Sequence, residues 1–171
     1  MSNKGGIKYD LEGIDGSVAI MTIKNAAKKA NIIINYKNTE SLNFKINNND
    51  KLYKCLTILR FIAELSPSSQ LYGSTLYHEA VVNQYLDLFW NDLELPLYTN
   101  NNNILVSSVS NKVLNLINDI LMDNTYLVSS SITAADIYLF SIIKFAKEND
   151  IDLKGKYQNI NRWFNTLENS F

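Results

Sequence analysis

The chain has 171 residues, 46% of them hydrophobic and 19% charged, proportions of an ordinary globular protein of one domain or two small subdomains, which excludes a fibrous or wholly disordered chain. Its net charge of −1 hides an asymmetry, because residues 1–60 hold ten Lys/Arg against five Asp/Glu and residues 61–171 six against twelve; that surplus attracts a polyanion only weakly, short of the concentrated basic face of a nucleic-acid binder. One cysteine (Cys55), one histidine (His78), no apolar run near 20 residues and no apolar leader exclude an internal disulfide, a His/Cys metal cluster and a membrane span, and predict a cytosolic chain without a cofactor.

Ile7 to Leu11 reads as a strand, followed by a turn over Glu12-Gly13-Ile14-Asp15-Gly16. Ser17 caps a predicted helix to about Asn31, its hydroxyl accepting a first-turn N–H. Ile32 to Tyr36 is β-branched and apolar, as in a buried strand. Leu42, Phe44 and Ile46 alternate with polar residues, Asn47 to Asp50 turns, and Leu52 restarts a strand leading into a helix over Lys54 to Leu65. The order is βαβ-ββα, and the link Asn38 to Ser41 is too short for a second helix.

Pro67 stops the helix before it, and helical periodicity alone follows. One helix runs from Ser74 or Thr75 to about Leu93, and a loop is expected over Pro96 to Asn103. Val109, Val113, Leu116, Ile117, Ile120 and Leu121 have the spacing of a helix with one buried face. Thr133 and Asp136 form a capping box ahead of an apolar helix carrying Ala135, Leu139, Ile142, Ile143 and Ala146. Ile160, Trp163, Phe164, Leu167 and Phe171 mark a last helix. Domain limits of 1–65 and 70–171 follow.

Leu52 to Leu65 (LYKCLTILRFIAEL), the SITAAD segment ending at Asp136 and Asn161-Arg162-Trp163-Phe164 resemble segments of glutathione transferases. The branch most alike is that of the appended domains of aminoacyl-tRNA synthetases and the small scaffold proteins of multisynthetase complexes; Leu71-Tyr72-Gly73-Ser74 and Thr125-Tyr126-Leu127-Val128 look most like the N-terminal domain of glutamyl-tRNA synthetase. The likeness implies an α+β thioredoxin-like subdomain without its second helix, then an all-α subdomain.

The thiol site of that family is altered here. Lys54 and Cys55 occupy the positions of its Glu-Ser pair, and Asn43 that of its cis-proline, where a non-proline cis bond costs about 2.5–4 kcal/mol. Tyr9 and Ser17 are the residues nearest the thiol-activating hydroxyl, and strand packing and helix capping account for them. Cys55 is expected as a buried apolar residue, His78 as a surface or helix-packing residue, and Tyr77, Tyr85 and Trp90 as core or subdomain interface.

At 100° per residue, the Ile160, Trp163, Phe164, Leu167 stripe leaves Arg162 facing outward among Gln158, Asn165, Thr166 and Asn169. The resemblance implies that this arginine pairs two such domains back to back, and that a second face lies on the 54–65 helix at Arg60, Ala63 and Glu64. The expectation is a non-catalytic, cofactor-free docking domain of a synthetase complex, the appendix of a glutamyl-tRNA synthetase whose catalytic part lies beyond residue 171. Its partners are similar domains of other synthetases or scaffolds, with at most an indirect link to tRNA. Alternatives are a free-standing scaffold, an elongation factor one subunit or a divergent transferase.

Overall fold

The computed structural model describes residues 8–99, 108–149 and 156–171, which fall into two units, 1–71 and 72–171. In the first, β1 (Lys8–Gly13), α1 (Val18–Lys29), β2 (Ile33–Asn38), β3 (Asn43–Lys45), β4 (Lys51–Leu52) and α2 (Cys55–Leu65) follow the expected βαβ-ββα order, with no helix between β2 and β3. The sheet order is β2-β1-β3-β4. β1 pairs in parallel with β2 (Leu11 beside Tyr36) and antiparallel with β3 (Leu11 beside Phe44), and β3 pairs antiparallel with β4.

Alternation along β1 sends Tyr9, Leu11 and Gly13 inward. They join Phe44 and the buried stripes of α1 (Val18, Ile20, Ile23, Ala26) and α2 (Ile58, Leu59, Ile62) in the core of this unit. A Cβ on Gly13 would lie 2.6 Å from Ile20 Cδ1, so glycine here lets the Ile20 side chain of α1 pack directly on the strand. β1 reaches two residues beyond the predicted strand, because Glu12 and Gly13 still pair with Lys37 and Asn38. Ser17 caps α1 as expected, accepting from Ile20 N at 3.3 Å, and the chain leaves the helix through Asn31 at φ 55°.

The opposite strand positions are polar except for the half-exposed Ile33: Lys8, Asp10 and Glu12 on β1, Asn35 and Lys37 on β2, Asn43 and Lys45 on β3, Lys51 on β4; no residue of β2 is buried, which corrects the buried strand expected over Ile32 to Tyr36. Asn35 Nδ2 donates to Asp10 Oδ1 at 3.1 Å, and Lys45 Nζ to Glu12 Oε1 at 2.6 Å. With no helix between β2 and β3, this laddered face suits water.

In the second unit, α3 (Leu76–Phe89) is capped by Thr75, whose Oγ1 accepts from His78 N at 3.1 Å. A π-helical turn (Trp90–Glu94), α4 (Leu95–Thr99), α5 (Ser108–Asp123), α6 (Ala134–Glu148) and α7 (Gln158–Glu168) follow. Two corrections to the sequence reading fall here. The long helix leaves α-geometry at Phe89, and Pro96 lies in the first turn of α4 rather than in a loop, where its missing N–H costs nothing; residues 100–103 lie outside the described residues. Tyr85 is buried, but Tyr77 is 75% exposed and Trp90 partly so, which removes Tyr77 from the expected core. Every residue from Ala134 to Ile143 is buried, which makes α6 the central helix of this unit.

Candidate docking interface

The last helix owes its position to its neighbours more than to its own sequence. Ile160, Trp163, Phe164 and Leu167 are buried, and Gln158, Arg162, Asn165, Thr166 and Asn169 are all exposed on the other side. No residue of α7 caps its own N-terminus. That work falls to Asn118 of α5, whose Oδ1 accepts from Asn159 N at 3.0 Å and Ile160 N at 3.4 Å, while its carbonyl accepts from Asn159 Nδ2 at 2.9 Å.

Arg162 returns the service. Its Nη2 donates to Leu121 O and, at 3.3 Å, to Asn124 O, carbonyls at the C-terminal end of α5. The guanidinium therefore faces outward as expected but is held at one nitrogen, and two acceptors use both Nη2 hydrogens. Nε and Nη1 keep their donors. Thr166 Oγ1 and Asn169 Nδ2 donate back to the carbonyls of Arg162 and Asn165, both at 3.0 Å. Beside the guanidinium lies a cleft of about 270 Å³ lined by Met122, Asp123, Asn124, Thr125, Arg162, Trp163 and Thr166.

Behind this surface, Asp136 ties three segments together. The capping box with Thr133 is present as read from the sequence. Asp136 Oδ2 accepts from Thr133 N (2.9 Å) and Oγ1 (2.8 Å), and Oδ1 from Leu127 N (2.9 Å) and Trp163 Nε1 (3.1 Å). Burial pushes its carboxyl up from the ordinary aspartate value, against four bonds that favour the anion. Sequence reasoning saw Trp163 only as an apolar residue and missed its indole N–H. It also missed Glu94, a buried carboxylate accepting from Tyr98 Oη at 3.0 Å and from Tyr138 Oη, whose acidity burial likewise weakens. Neither contact leaves a local pattern.

On α2 the three proposed residues separate. Glu64 is exposed and Arg60 half-buried, but Ala63 is only 4% exposed. Ala63 shares the buried side of the helix with Ile62 and Leu59, so it is withdrawn from the second face.

The residues nearest a thiol site are employed elsewhere. Tyr9 is buried, its ring stacked on Phe44 at 5.2 Å and edge-on to Phe61 at 6.0 Å. Ser17 Oγ donates to Ile14 O at 2.7 Å while capping α1. Cys55 is buried with Sγ 3.9 Å from Ala19 O, Lys54 is exposed, and the peptide bond before Asn43 is trans. His78 Nδ1 accepts from Ser74 N at 3.4 Å in the first turn of α3.

Known proteins share the fold and part of the sequence. Residues 107–170 match the glutathione S-transferase, C-terminal domain, family. A glutathione S-transferase from Pichia kudriavzevii superposes with TM-score 0.75 at 19% identity over 95% of this chain and 92% of that one. A delta-class glutathione transferase from Nilaparvata lugens gives TM-score 0.83 at 18% identity, covering 95% and 89%. The chain has a glutathione-transferase-like fold. In sequence it is 29% identical over 139 residues to a probable cytoplasmic glutamate–tRNA ligase of Dictyostelium discoideum, covering 79% of this chain but 16% of the ligase. It is 29% identical over 119 residues to human eukaryotic translation elongation factor 1 epsilon-1, covering 69% of this chain and 64% of that protein. The transferase-like chain thus spans a small part of the first relative and under two thirds of the second, and its sequence relatives are translation proteins.

Proposed function

We propose that the chain is a non-catalytic docking domain of the cytosolic translation machinery, and that it helps assemble a complex of aminoacyl-tRNA synthetases as the appendix of a glutamyl-tRNA synthetase. The observation that carries this reading is that one module resembles parts of both a glutamate–tRNA ligase and an elongation-factor subunit. What two such different proteins share is not the chemistry of either. Tyr9, Ser17 and Cys55, committed to packing and capping, support the same reading.

The docking face is that of α7, with Arg162 at its centre and Gln158, Asn165, Thr166 and Asn169 around it. Similar domains of other synthetases or scaffold proteins are its partners, and a second face on α2 uses Arg60 and Glu64. The cover of 64% of elongation factor 1 epsilon-1 favours, as a second reading, a free-standing scaffold or elongation-factor subunit. A divergent glutathione transferase stands behind both. The test is quantitative co-purification with the full chain at native abundance. Wild type should retain aminoacyl-tRNA synthetases in fixed ratio, and Arg162→Ala should retain several-fold less while keeping its helical circular dichroism. Equal retention by folded Arg162→Ala would remove the α7 face from the proposal.

A further inference from the structure

We propose that the uncovered face of the four-stranded sheet binds a single-stranded RNA, with Lys8, Lys37, Lys45 and Lys51 on its phosphates and Tyr53 stacked on a base. The site uses no residue of either docking face and does not depend on the docking reading.

Counted along the chain, the basic surplus of residues 1–60 is diffuse, and the strand register gathers it. Lys8 lies beside Ile33, Lys37 beside Glu12, and Lys45 of β3 directly opposite Lys51 of β4. Alternation along each strand turns all four lysines to the side away from the core, four of the ten Lys/Arg of that stretch. Two of its five Asp/Glu, Asp10 and Glu12, share this side, and both are engaged. Asp10 accepts from Asn35 at 3.1 Å, and Glu12 accepts from Lys45 at 2.6 Å and from Asn43 at 3.3 Å. Lys8 and Lys37 make no hydrogen bond or salt bridge among the described residues. Like charges directly opposite on antiparallel strands repel, and the Lys45–Glu12 salt bridge leaves Lys51 unbalanced. No helix between β2 and β3 covers these ammonium groups, so an anionic chain laid on the sheet meets them directly.

The class of anion follows from spacing and from Tyr53. With strands about 4.8 Å apart and about 3.3 Å per residue, the four lysines spread over roughly 15 Å. That is too wide for one compact anion and suits a run of phosphates. Tyr53 is 56% exposed, and its ring centre lies 5.3 Å from Lys51 Nζ, which places the ring beside the lysines. An exposed ring next to ammonium groups is the combination that holds a single strand, the ring stacking an unpaired base while the cations follow the backbone. A duplex keeps its bases from such a ring, and a carboxylate side chain offers no flat face to it.

Fluorescence anisotropy of a labelled oligouridylate of about ten nucleotides with the full chain tests this. Wild type should bind saturably at low salt. Its log affinity should fall against log salt with a slope of about −2 to −3, because each phosphate contact on a single strand contributes about −0.7. Lys8→Gln, Lys37→Gln and Lys51→Gln combined should weaken binding ~tenfold or more and bring the slope to about −0.7. Glu12→Gln should tighten binding by releasing Lys45, and Tyr53→Leu should weaken it ~fivefold or more at an unchanged slope. Lys112→Gln, at an exposed position of α5, should change neither affinity nor slope. No saturable binding at low salt, or a triple variant that melts as wild type and keeps its affinity and slope, would overturn the proposal. If Tyr53→Leu binds undiminished and polyglutamate displaces the RNA at equal charge concentration, the face takes acidic chains in general and the RNA assignment fails.

Discussion

Asp136 shows how much one buried carboxylate can organise when its oxygens are fully used. Its four donors come from the loop before α6, from the α6 N-cap and from α7. Asp136→Ala strands the Leu127 and Thr133 amides and the Trp163 indole N–H in the interior, at about 1–3 kcal/mol each. Loss of about 3 kcal/mol or more is expected, read as a lower urea midpoint, with Trp163→Phe losing less because it strands no polar group, the carboxylate keeping its three other donors. Glu94 behaves differently, since two tyrosine hydroxyls offset burial only in part. Its folded pKa lies above the ordinary 4.5, so its contribution to stability is full below that value and is lost as pH rises through the folded pKa. Glu94→Gln keeps an amide oxygen for one tyrosine and removes the charge. The variant should match wild type in melting temperature well below pH 4.5 and exceed it at neutral pH; a wild type whose advantage grows as pH rises would contradict this.

At the scale of elements, α5 and α7 cap one another, Asn118 closing the start of one and Arg162 the end of the other. Asn118→Ala should cost about 1 kcal/mol, a typical value for a lost N-cap, and hydrogen exchange should accelerate at the Asn159 and Ile160 amides while the α6 amides stay protected. Uniform acceleration across the second unit would mean that the asparagine acts globally rather than as a cap. These two helices also show where sequence reading ends. Ser17 and the Thr133/Asp136 box are legible because donor and acceptor lie three residues apart in one segment. Asn118 and Asn159 are 41 residues apart, and no local pattern announces the bond. Periodicity placed Arg162 on the outer face but could not report that α5 ends beneath it. It also ran the third helix straight through Phe89 and took Pro96 as the start of a loop, whereas a π-turn just before the proline lets the helix carry it. On α2 the resemblance put Ala63 on an outer face, but four residues after Leu59 it falls on the buried stripe. The polar sheet face was present in the alternation of β1, yet only the missing helix made sense of it.

Across the whole molecule, a transferase-like architecture persists although the residues nearest a thiol site serve other ends. The four-stranded sheet needs a core, and Tyr9 provides part of it through its stack on Phe44. The first helix needs a cap, and Ser17 provides it, its Oγ accepting from Ile20 N while donating to Ile14 O. The second helix begins with a buried cysteine behind an exposed lysine. To activate a thiol, Tyr9 would have to leave the core and Ser17 would have to surrender the α1 cap, each at a cost to folding of about 1 kcal/mol or more. Restoring Glu-Ser at 54 and 55 would address the γ-glutamyl contact alone. Isothermal titration of the full chain with millimolar glutathione is therefore expected to show no saturable heat. Lys54→Glu with Cys55→Ser is expected to leave the titration flat while melting near wild type, because both positions tolerate a small or exposed polar side chain. A saturable isotherm in wild type would return the thiol site to this fold and place catalysis ahead of docking; one gained only by the double variant would show that the γ-glutamyl contact alone had been missing.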